Sequence, residues 1–330
     1  MSLQKISAAT IIALSLAACS SGSDSPNSTL PNTNPTVTNP SNGSQTNNGN
    51  AAAANNQNNP SSNGNTAANA NNPANSGNTA ANNPPPRVDF SVSYGGLKTN
   101  AIEDIQKLAQ KIGGKGTTAT LKSYKVTLGT QSSSGSNINL SGYPLKELKL
   151  NQNFQETAIA NASGNNYTVT RSGKAHIYRQ NYSLIAGINP TNTTVRGSGV
   201  NESEKLDDTY ILIKGQTTQT LPTAGKFNYS GIASDGASQG KLAYSVDFDS
   251  RKGSGKITGI GSDINLNEAS IGEVSHTNEI DNTVIKGHGI QGSSSRGNYA
   301  LGFFGPNAEE IVGTVNDTVN DSEIGFAGSR

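Results

Sequence analysis

The sequence predicts an all-β protein with one short helix, in which an N-terminal sheet-rich domain precedes an antiparallel β-barrel of about eight strands. Apolar and polar residues alternate in the C-terminal part, as at Leu242, Tyr244, Val246 and Phe248. That period is typical of strands with one buried face. Turn-forming residues recur every 8–15 residues or so, which favours an up-and-down barrel.

One segment has the period of a helix. Apolar residues recur on one face at Ile102, Ile105, Leu108, Ala109 and Ile112. Asn100, with Glu103 three residues later, resembles a capping box and predicts the start of the helix. Gly113 and Gly114 predict its end. We expect this helix to pack on a sheet.

The first residues predict a lipoprotein signal. A basic residue, Lys5, precedes an apolar run that ends in Leu16-Ala17-Ala18-Cys19. The pattern predicts a signal peptide over residues 1–18. The thiol of Cys19 is the group suited to acceptance of a lipid. A plain signal peptide that happens to contain a cysteine is the alternative.

The composition divides the remaining chain. Residues 25–86 contain no charged and no aromatic residue, and such a segment cannot bury enough apolar surface to offset the entropy of ordering. We therefore predict a disordered Asn-, Ala-, Ser- and Pro-rich tether over residues 19–86, a β-rich domain over 87–220 and the barrel domain over 221–330.

The sequence shows no sign of an active site. It contains no nucleophile elbow, phosphate loop, dinucleotide fingerprint or zinc-protease motif. Its three histidines, His176, His276 and His288, are too far apart in sequence to form a local metal cluster. His176 and His288 fall in strand patterns and His276 in a predicted loop. With a net charge of +1 the chain also lacks a basic stripe for nucleic acid. We expect a binding protein, not an enzyme.

The barrel region resembles a known family. Residues 221–231 read LPTAGKFNYSG and residues 299–313 read YALGFFGPNAEEIVG. Both stretches resemble motifs of the transferrin-binding protein B-like bacterial surface lipoproteins. Residues 175–183 read AHIYRQNYS, which is similar to a segment of factor H binding protein, and the order of segments is nearest to that protein.

The resemblance implies a lipid-anchored outer-membrane protein that a dedicated outer-membrane translocon displays on the cell exterior. It implies a host serum protein as partner, either a complement regulator such as factor H or an iron carrier. The positions matching acidic ligand contacts of factor H binding protein are the uncharged Ser295 and Asn316, with Asp317 as a possible substitute. We expect a monomer.

The candidate ligand contacts follow from the strand and loop patterns. They are His176, Tyr178, Arg179, His288 and Arg296. We expect no metal and no cofactor, although a histidine could serve as an axial ligand of haem. Three functions stay open: capture of a complement regulator, capture of haem, haemoglobin or transferrin for iron acquisition, and a structural barrel without a host ligand.

Overall fold

The computed structural model describes residues 88–135 and 137–330, which fall within one compact unit. The predicted signal peptide, the tether and Cys19 lie outside the described residues. The division of the chain at residue 221 stays a prediction. In the described part, no helix is long and apolar enough to cross a membrane.

The N-terminal half is a sheet covered by one helix. Its elements are β1 (Ser91–Ser93), α1 (Gly95–Gly113), β2 (Ala119–Leu128), β3 (Gln131–Ser133), β4 (Asn137–Asn139), a short 3-10 helix (Leu140–Gly142), β5 (Lys149–Ala162), β6 (Asn165–Arg179), β7 (Ser183–Gly197), β8 (Val200–Lys205) and β9 (Tyr210–Gly215). The sheet has the order β3-β2-β5-β6-β7-β8. Strand β9 pairs with the first half of β7, and β1 pairs with β4.

The C-terminal half is a closed barrel. Its strands are β10 (Lys226–Ser234), β11 (Gln239–Asp247), β12 (Lys252–Thr258), β13 (Ile264–Asn278), β14 (Thr283–Ser294), β15 (Gly297–Phe304), β16 (Glu310–Asp317) and β17 (Ser322–Ser329). Each strand pairs antiparallel with the next, and β10 closes the barrel on β17. The eight-stranded antiparallel barrel and the all-β class with one helix are confirmed.

The barrel interior follows the predicted alternation. Leu242, Tyr244, Val246 and Phe248 are all buried in the barrel core. Phe303 is fully buried there, with its ring 5.6 Å from that of Phe248. Packed rings fill the interior, which is the usual solution for a barrel of this size.

Helix α1 begins earlier than predicted. The capping box at Asn100 does not mark its start, because the helix already begins at Gly95, and no side chain caps it at Tyr94. Instead the N–H of Gly96 donates to the carbonyl of Ile280 at 3.0 Å. A barrel hairpin distant in sequence thus pairs one of the free N–H groups of the first turn. The helix ends at Gly113, as predicted, before Gly114 with a φ of 86°.

Candidate functional site

The sheet and the barrel meet along an apolar cluster, which we call the sheet–barrel interface. The sheet contributes Tyr178, Ile185, Ile211 and Ile213, and the barrel contributes Phe304, Val312 and Ala327. All seven are buried. Burial of apolar surface is the main source of cohesion between packed layers, so the two halves are held against each other.

The FFGP stretch of the barrel connects the two cores. Phe303 points into the barrel, whereas Phe304 lies in the sheet–barrel interface. Gly305 has a φ of +89°, a conformation that favours glycine. Its N–H donates to the carbonyl of Gln216 at 2.9 Å, and its carbonyl accepts from the hydroxyl of Thr218 at 2.7 Å. The motif therefore secures the segment that joins β9 to the barrel.

Glu310, at the start of β16, holds the turn between β6 and β7. Its carboxylate accepts from the N–H of Asn181 at 2.8 Å, the N–H of Tyr182 at 3.0 Å and the hydroxyl of Ser183 at 2.7 Å. Burial raises the pKa of Glu310, and the three donors oppose that rise. The carboxylate thus satisfies three donors in a place that water reaches poorly.

The hairpin of β13 and β14 extends out of the barrel to the sheet. The Asn278 amide donates to the carbonyl of Ile213 at 2.9 Å and accepts from its N–H at 2.8 Å. Ile280, at the hairpin tip, is fully buried in the core beneath α1. This hairpin is therefore a further connection between the two halves.

His276 lies in β13, so the prediction that it occupies a loop was wrong. Its Nε2 atom is 3.3 Å from the carbonyl oxygen of Ile211. Burial lowers its pKa. The long hairpin places this part of β13 beside β9, where the sequence pattern alone predicted a turn.

His176 is buried in β6, on the face of the sheet that carries Tyr178. Its ring lies over Gly187 of β7, where a Cβ atom would be only 1.9 Å from the ring carbon Cε1. Neither ring nitrogen has a hydrogen-bond partner among the described residues. Burial lowers its pKa to about 4, although Asp235 opposes the change. A ligand could reach this ring only if the packing around it opened.

Tyr178 and Arg179 are adjacent but differently placed. Tyr178 is buried in the sheet–barrel interface, and burial followed by the charge of Glu310 raises its pKa. Arg179 is half-buried, with Nε donating to the carbonyl of Tyr143 at 2.7 Å. Its guanidinium also lies 5.9 Å from the ring centre of Phe90. Tyr178 thus packs between the sheet and the barrel, whereas Arg179 ties β6 to the segment around Tyr143.

His288 and Arg296 lie on β14 and in the turn that follows it. His288 is partly exposed, and its Nδ1 atom is 2.7 Å from a carboxylate oxygen of Glu273 on β13. Arg296 is buried, donates to the carbonyl of Ile260 at 3.0 Å and bonds the carboxylate of Asp317. Arg296 thus ties together one end of the barrel.

The placement of Asp317 corrects one expectation. Its side chain is fully buried and also accepts from Asn320 and from the N–H of Val319. Burial alone would raise the pKa of Asp317. The hydrogen bonds and the positive charge of Arg296 have the larger effect, so its pKa is lowered. Asp317 is therefore not available as a surface acid in place of Ser295 or Asn316, both of which are exposed.

The five predicted contacts do not converge on one site. His176 and Tyr178 face the barrel from one strand, whereas Arg296 lies in the turn after β14. Their role in binding a ligand stays a prediction. Within the residues that the structure describes, no three His, Cys, Asp or Glu side chains come together to hold a metal.

Sequence reasoning missed Glu310 and Asn278, two of the polar residues that join the halves. Both have partners more than sixty positions away along the chain. The one local signal was the position of Glu310, which follows the FFGP stretch and begins a strand. Nothing in the pattern around Asn278 distinguishes it from the other asparagines of the chain.

Comparison with known proteins gives a family match in the barrel. The family described as "Factor H binding protein, C-terminal" matches residues 219–315. A solved structure described as intact Ap-TbpB, with N and C lobes, is 15% identical and is matched over 60% of this chain and 40% of its own length. The TM-score of 0.34 does not establish a shared overall fold, and this chain spans less than half of that protein.

The matched segment begins just before β10 and ends within β16, so it covers most of the closed barrel. It includes the FFGP stretch whose connections are described above. The closed C-terminal barrel is therefore the part of the chain that is similar to the family described as "Factor H binding protein, C-terminal".

Proposed function

We propose that this protein is a surface-exposed bacterial lipoprotein that binds a host serum protein, with the complement regulator factor H as the first candidate. The observation that carries the proposal is the match of residues 219–315 to the family described as "Factor H binding protein, C-terminal". That family is named for a binding activity, not for a reaction.

The proposal includes an anchor and a location. Lipid on Cys19 would hold the protein at the outer membrane, with an outer-membrane translocon bringing it to the exterior. The support is the signal pattern that ends at Cys19. Metabolic labelling with radioactive palmitate tests the anchor, with a Cys19→Ser chain as control. Loss of the protein when intact cells are treated with protease tests its exposure.

The connections between sheet and barrel support a binding surface that includes both. Glu310, Asn278 and the buried Phe304 each join the two halves. Because the two halves are held together, this protein would lose little conformational freedom when a partner contacts both of them. Such preorganised surfaces lower the entropic cost of association.

The experiment is the capture of proteins from human serum on immobilised chain that lacks the lipid, followed by mass spectrometry. We expect one serum protein to be enriched over a column of unrelated β-barrel protein, with factor H as the first candidate. Recovery of transferrin or haemoglobin instead would favour the iron-acquisition function. Recovery of no serum protein above the control column would contradict the proposal.

A further inference from the structure

The sheet has a second region that the barrel does not cover, on the same face as His176 but farther along the strands. Three rows of paired residues cross β2, β5, β6, β7 and β8 there. We call these fifteen positions the polar face: Ser123, Ile159, Thr168, Arg196 and Asn201; Lys125, Thr157, Thr170, Thr194 and Ser203; Thr127, Gln155, Ser172, Asn192 and Lys205. None of them is buried.

The residues between these positions point the other way. Val126, Phe154, Ala158 and Val169 are fully buried in the core beneath α1, as the alternation of a strand requires. The polar face is therefore the outer surface of a sheet whose inner surface is packed. With strands about 4.8 Å apart, five strands make it roughly 19 Å wide.

The chemistry of the polar face is uniform. Apart from Ile159 and three cations, every position is Ser, Thr, Asn or Gln. Neighbouring side chains bond to one another, as in the 3.1 Å bond from the hydroxyl of Ser203 to Asn192 and the 3.2 Å bond from Arg196 Nε to Asn201. Hydroxyl and amide groups in this arrangement can both donate and accept hydrogen bonds.

The charges of the polar face have one sign. Lys125, Arg196 and Lys205 lie on it, and exposed Lys174 extends it along β6, past the bulge in the neighbouring strand β7 and beside Asn153. Among the described residues, none of these four cations forms an ion pair. Such a patch sets up a positive potential that attracts anions.

Acidic residues of the same strands lie elsewhere. On β8, Glu202 and Glu204 pair with Val195 and Thr193, at positions that alternate with those of the polar face. Glu156 of β5 is buried and bonded to Arg171. Asp207 and Asp208 follow the end of β8. The alternation therefore separates the charges across the sheet.

A shallow depression lies at one end of the polar face. Its polar lining includes Asn153, Gln155, Ser172, Lys174 and Thr191. A group seated there would meet amide, hydroxyl and ammonium donors together. Sulfates and carboxylates are suited to such donors because hydrogen bonds that involve an ion are the stronger ones.

We infer that the polar face binds an anionic polysaccharide, whose hydroxyls meet the Ser, Thr, Asn and Gln side chains and whose sulfates or carboxylates meet the four cations. The fifteen positions include no aromatic residue and one large apolar residue. Protein partners usually bind through aromatic and apolar anchors, and single-stranded nucleic acids through aromatic stacking. With no aromatic ring and only Ile159 as a large apolar side chain, the polar face has no cluster of such anchors, and a neutral glycan would make no use of the cations.

The test uses the full chain, purified in detergent, at an ionic strength of about 0.15 M. Its probes are immobilised heparin, which is sulfated, and polysialic acid, which is carboxylated, with neutral dextran and double-stranded DNA as comparisons. We expect saturable binding to at least one of the two anionic polysaccharides, none to dextran, and weaker binding to DNA.

The decisive variant carries Lys125→Gln, Lys174→Gln, Arg196→Gln and Lys205→Gln. We expect its affinity for the polysaccharide to fall by roughly tenfold to a hundredfold, since each exposed charge contributes modestly. The matched control removes four exposed cations that lie elsewhere and form no described ion pair: Lys107→Gln, Lys115→Gln, Lys241→Gln and Lys286→Gln. We expect that control to bind within about twofold of the parent.

Three results would overturn the inference: no binding to either polysaccharide, an equal loss in both variants, or DNA binding as tight as polysaccharide binding. Thermal unfolding of both variants shows whether each is folded. If the fourfold variant is unfolded, the double variant with Lys125→Gln and Arg196→Gln replaces it in the binding measurement. Serum-protein capture and polysaccharide binding are separate measurements, so either can fail without the other.

Discussion

The carboxylate of Glu310, at the start of a barrel strand, accepts a 2.7 Å hydrogen bond from the hydroxyl of Ser183, at the start of β7 in the sheet. The same carboxylate accepts from two backbone N–H groups of the preceding turn. One residue of the barrel thus satisfies three donors of the sheet.

Glu310→Ala should destabilise the protein strongly. The change leaves the N–H groups of Asn181 and Tyr182 and the hydroxyl of Ser183 without their acceptor. The loss of these three hydrogen bonds to a charged group costs about 2–4 kcal/mol in total. We expect the free energy of unfolding, measured with urea, to fall by about that amount. The neighbouring Glu309→Ala removes bonds only to Asn307 and should cost less than about 1 kcal/mol. Equal losses in both variants would contradict the role assigned to Glu310.

Stability should depend on pH through His176. Its pKa is about 4 in the folded protein and 6.5 in the unfolded chain. As the pH falls from 6.5 to 4, the unfolded chain takes up a proton that the folded protein does not, so the free energy of unfolding falls. The difference between the two pKa values corresponds to roughly 3 kcal/mol in the free energy of unfolding. This contribution is fully present above pH 6.5 and is lost as the pH falls to 4.

Urea unfolding at pH 7 and pH 5 measures this dependence. In His176→Phe, which keeps a ring over Gly187, the decrease in stability between the two pH values should be smaller than in the parent. The partly exposed His288 provides the control, and His288→Gln should retain the parent's decrease. If His176→Phe lost as much stability between pH 7 and pH 5 as the parent, groups other than His176 would be responsible for the pH dependence.

Gly187→Ala should be far more harmful than another glycine substitution in a strand. The new Cβ would be 1.9 Å from the His176 ring, whereas at Gly272 of β13 a Cβ would meet nothing within 4 Å. Overpacking of this kind costs about 1–3 kcal/mol, and Gly272→Ala should change stability by less than about 0.5 kcal/mol. Melting temperatures of the two variants provide the comparison. If Gly187→Ala has the same melting temperature as the parent, the His176 ring does not occupy that space.

The barrel could be predicted from sequence because its signals are local. Leu242, Tyr244 and Val246 of β11 and Phe248 just after it follow the alternation, and all four are buried. The start of α1 was predicted wrongly at Asn100 because the partner of its first turn, Ile280, lies far away in the chain. Local pattern cannot show a cap that another element supplies.

Asn278→Ala should loosen the hairpin contact with β9. Its amide pairs both backbone groups of Ile213, and without it those groups lose their partners while the rest of β9 stays paired with β7. We expect faster hydrogen exchange at the amide of Ile213, on the order of tenfold or more. Asn267→Ala, which removes an exposed side-chain bond to Ser293, should leave that amide unchanged. If the Ile213 amide exchanged at the same rate in Asn278→Ala and in the parent, that result would contradict the contact.

The candidate contacts were only partly foreseeable for a related reason. Strand alternation showed that His176 and Tyr178 share a face, yet not that the barrel covers it. Arg296 was predicted as a ligand contact, but the structure pairs it with Asp317 at the end of the barrel. Exposure depends on how the sheet packs on the barrel, and that packing rests on contacts distant in sequence.

The most direct measurement of the central claim is the capture of serum protein by intact cells that express this protein. Cells with the parent chain, cells with the Cys19→Ser chain and cells without the protein are incubated in human serum, washed and eluted for mass spectrometry. We expect a host serum protein, with factor H as first candidate, to be recovered from the parent cells alone. Equal recovery of serum proteins from all three would contradict it.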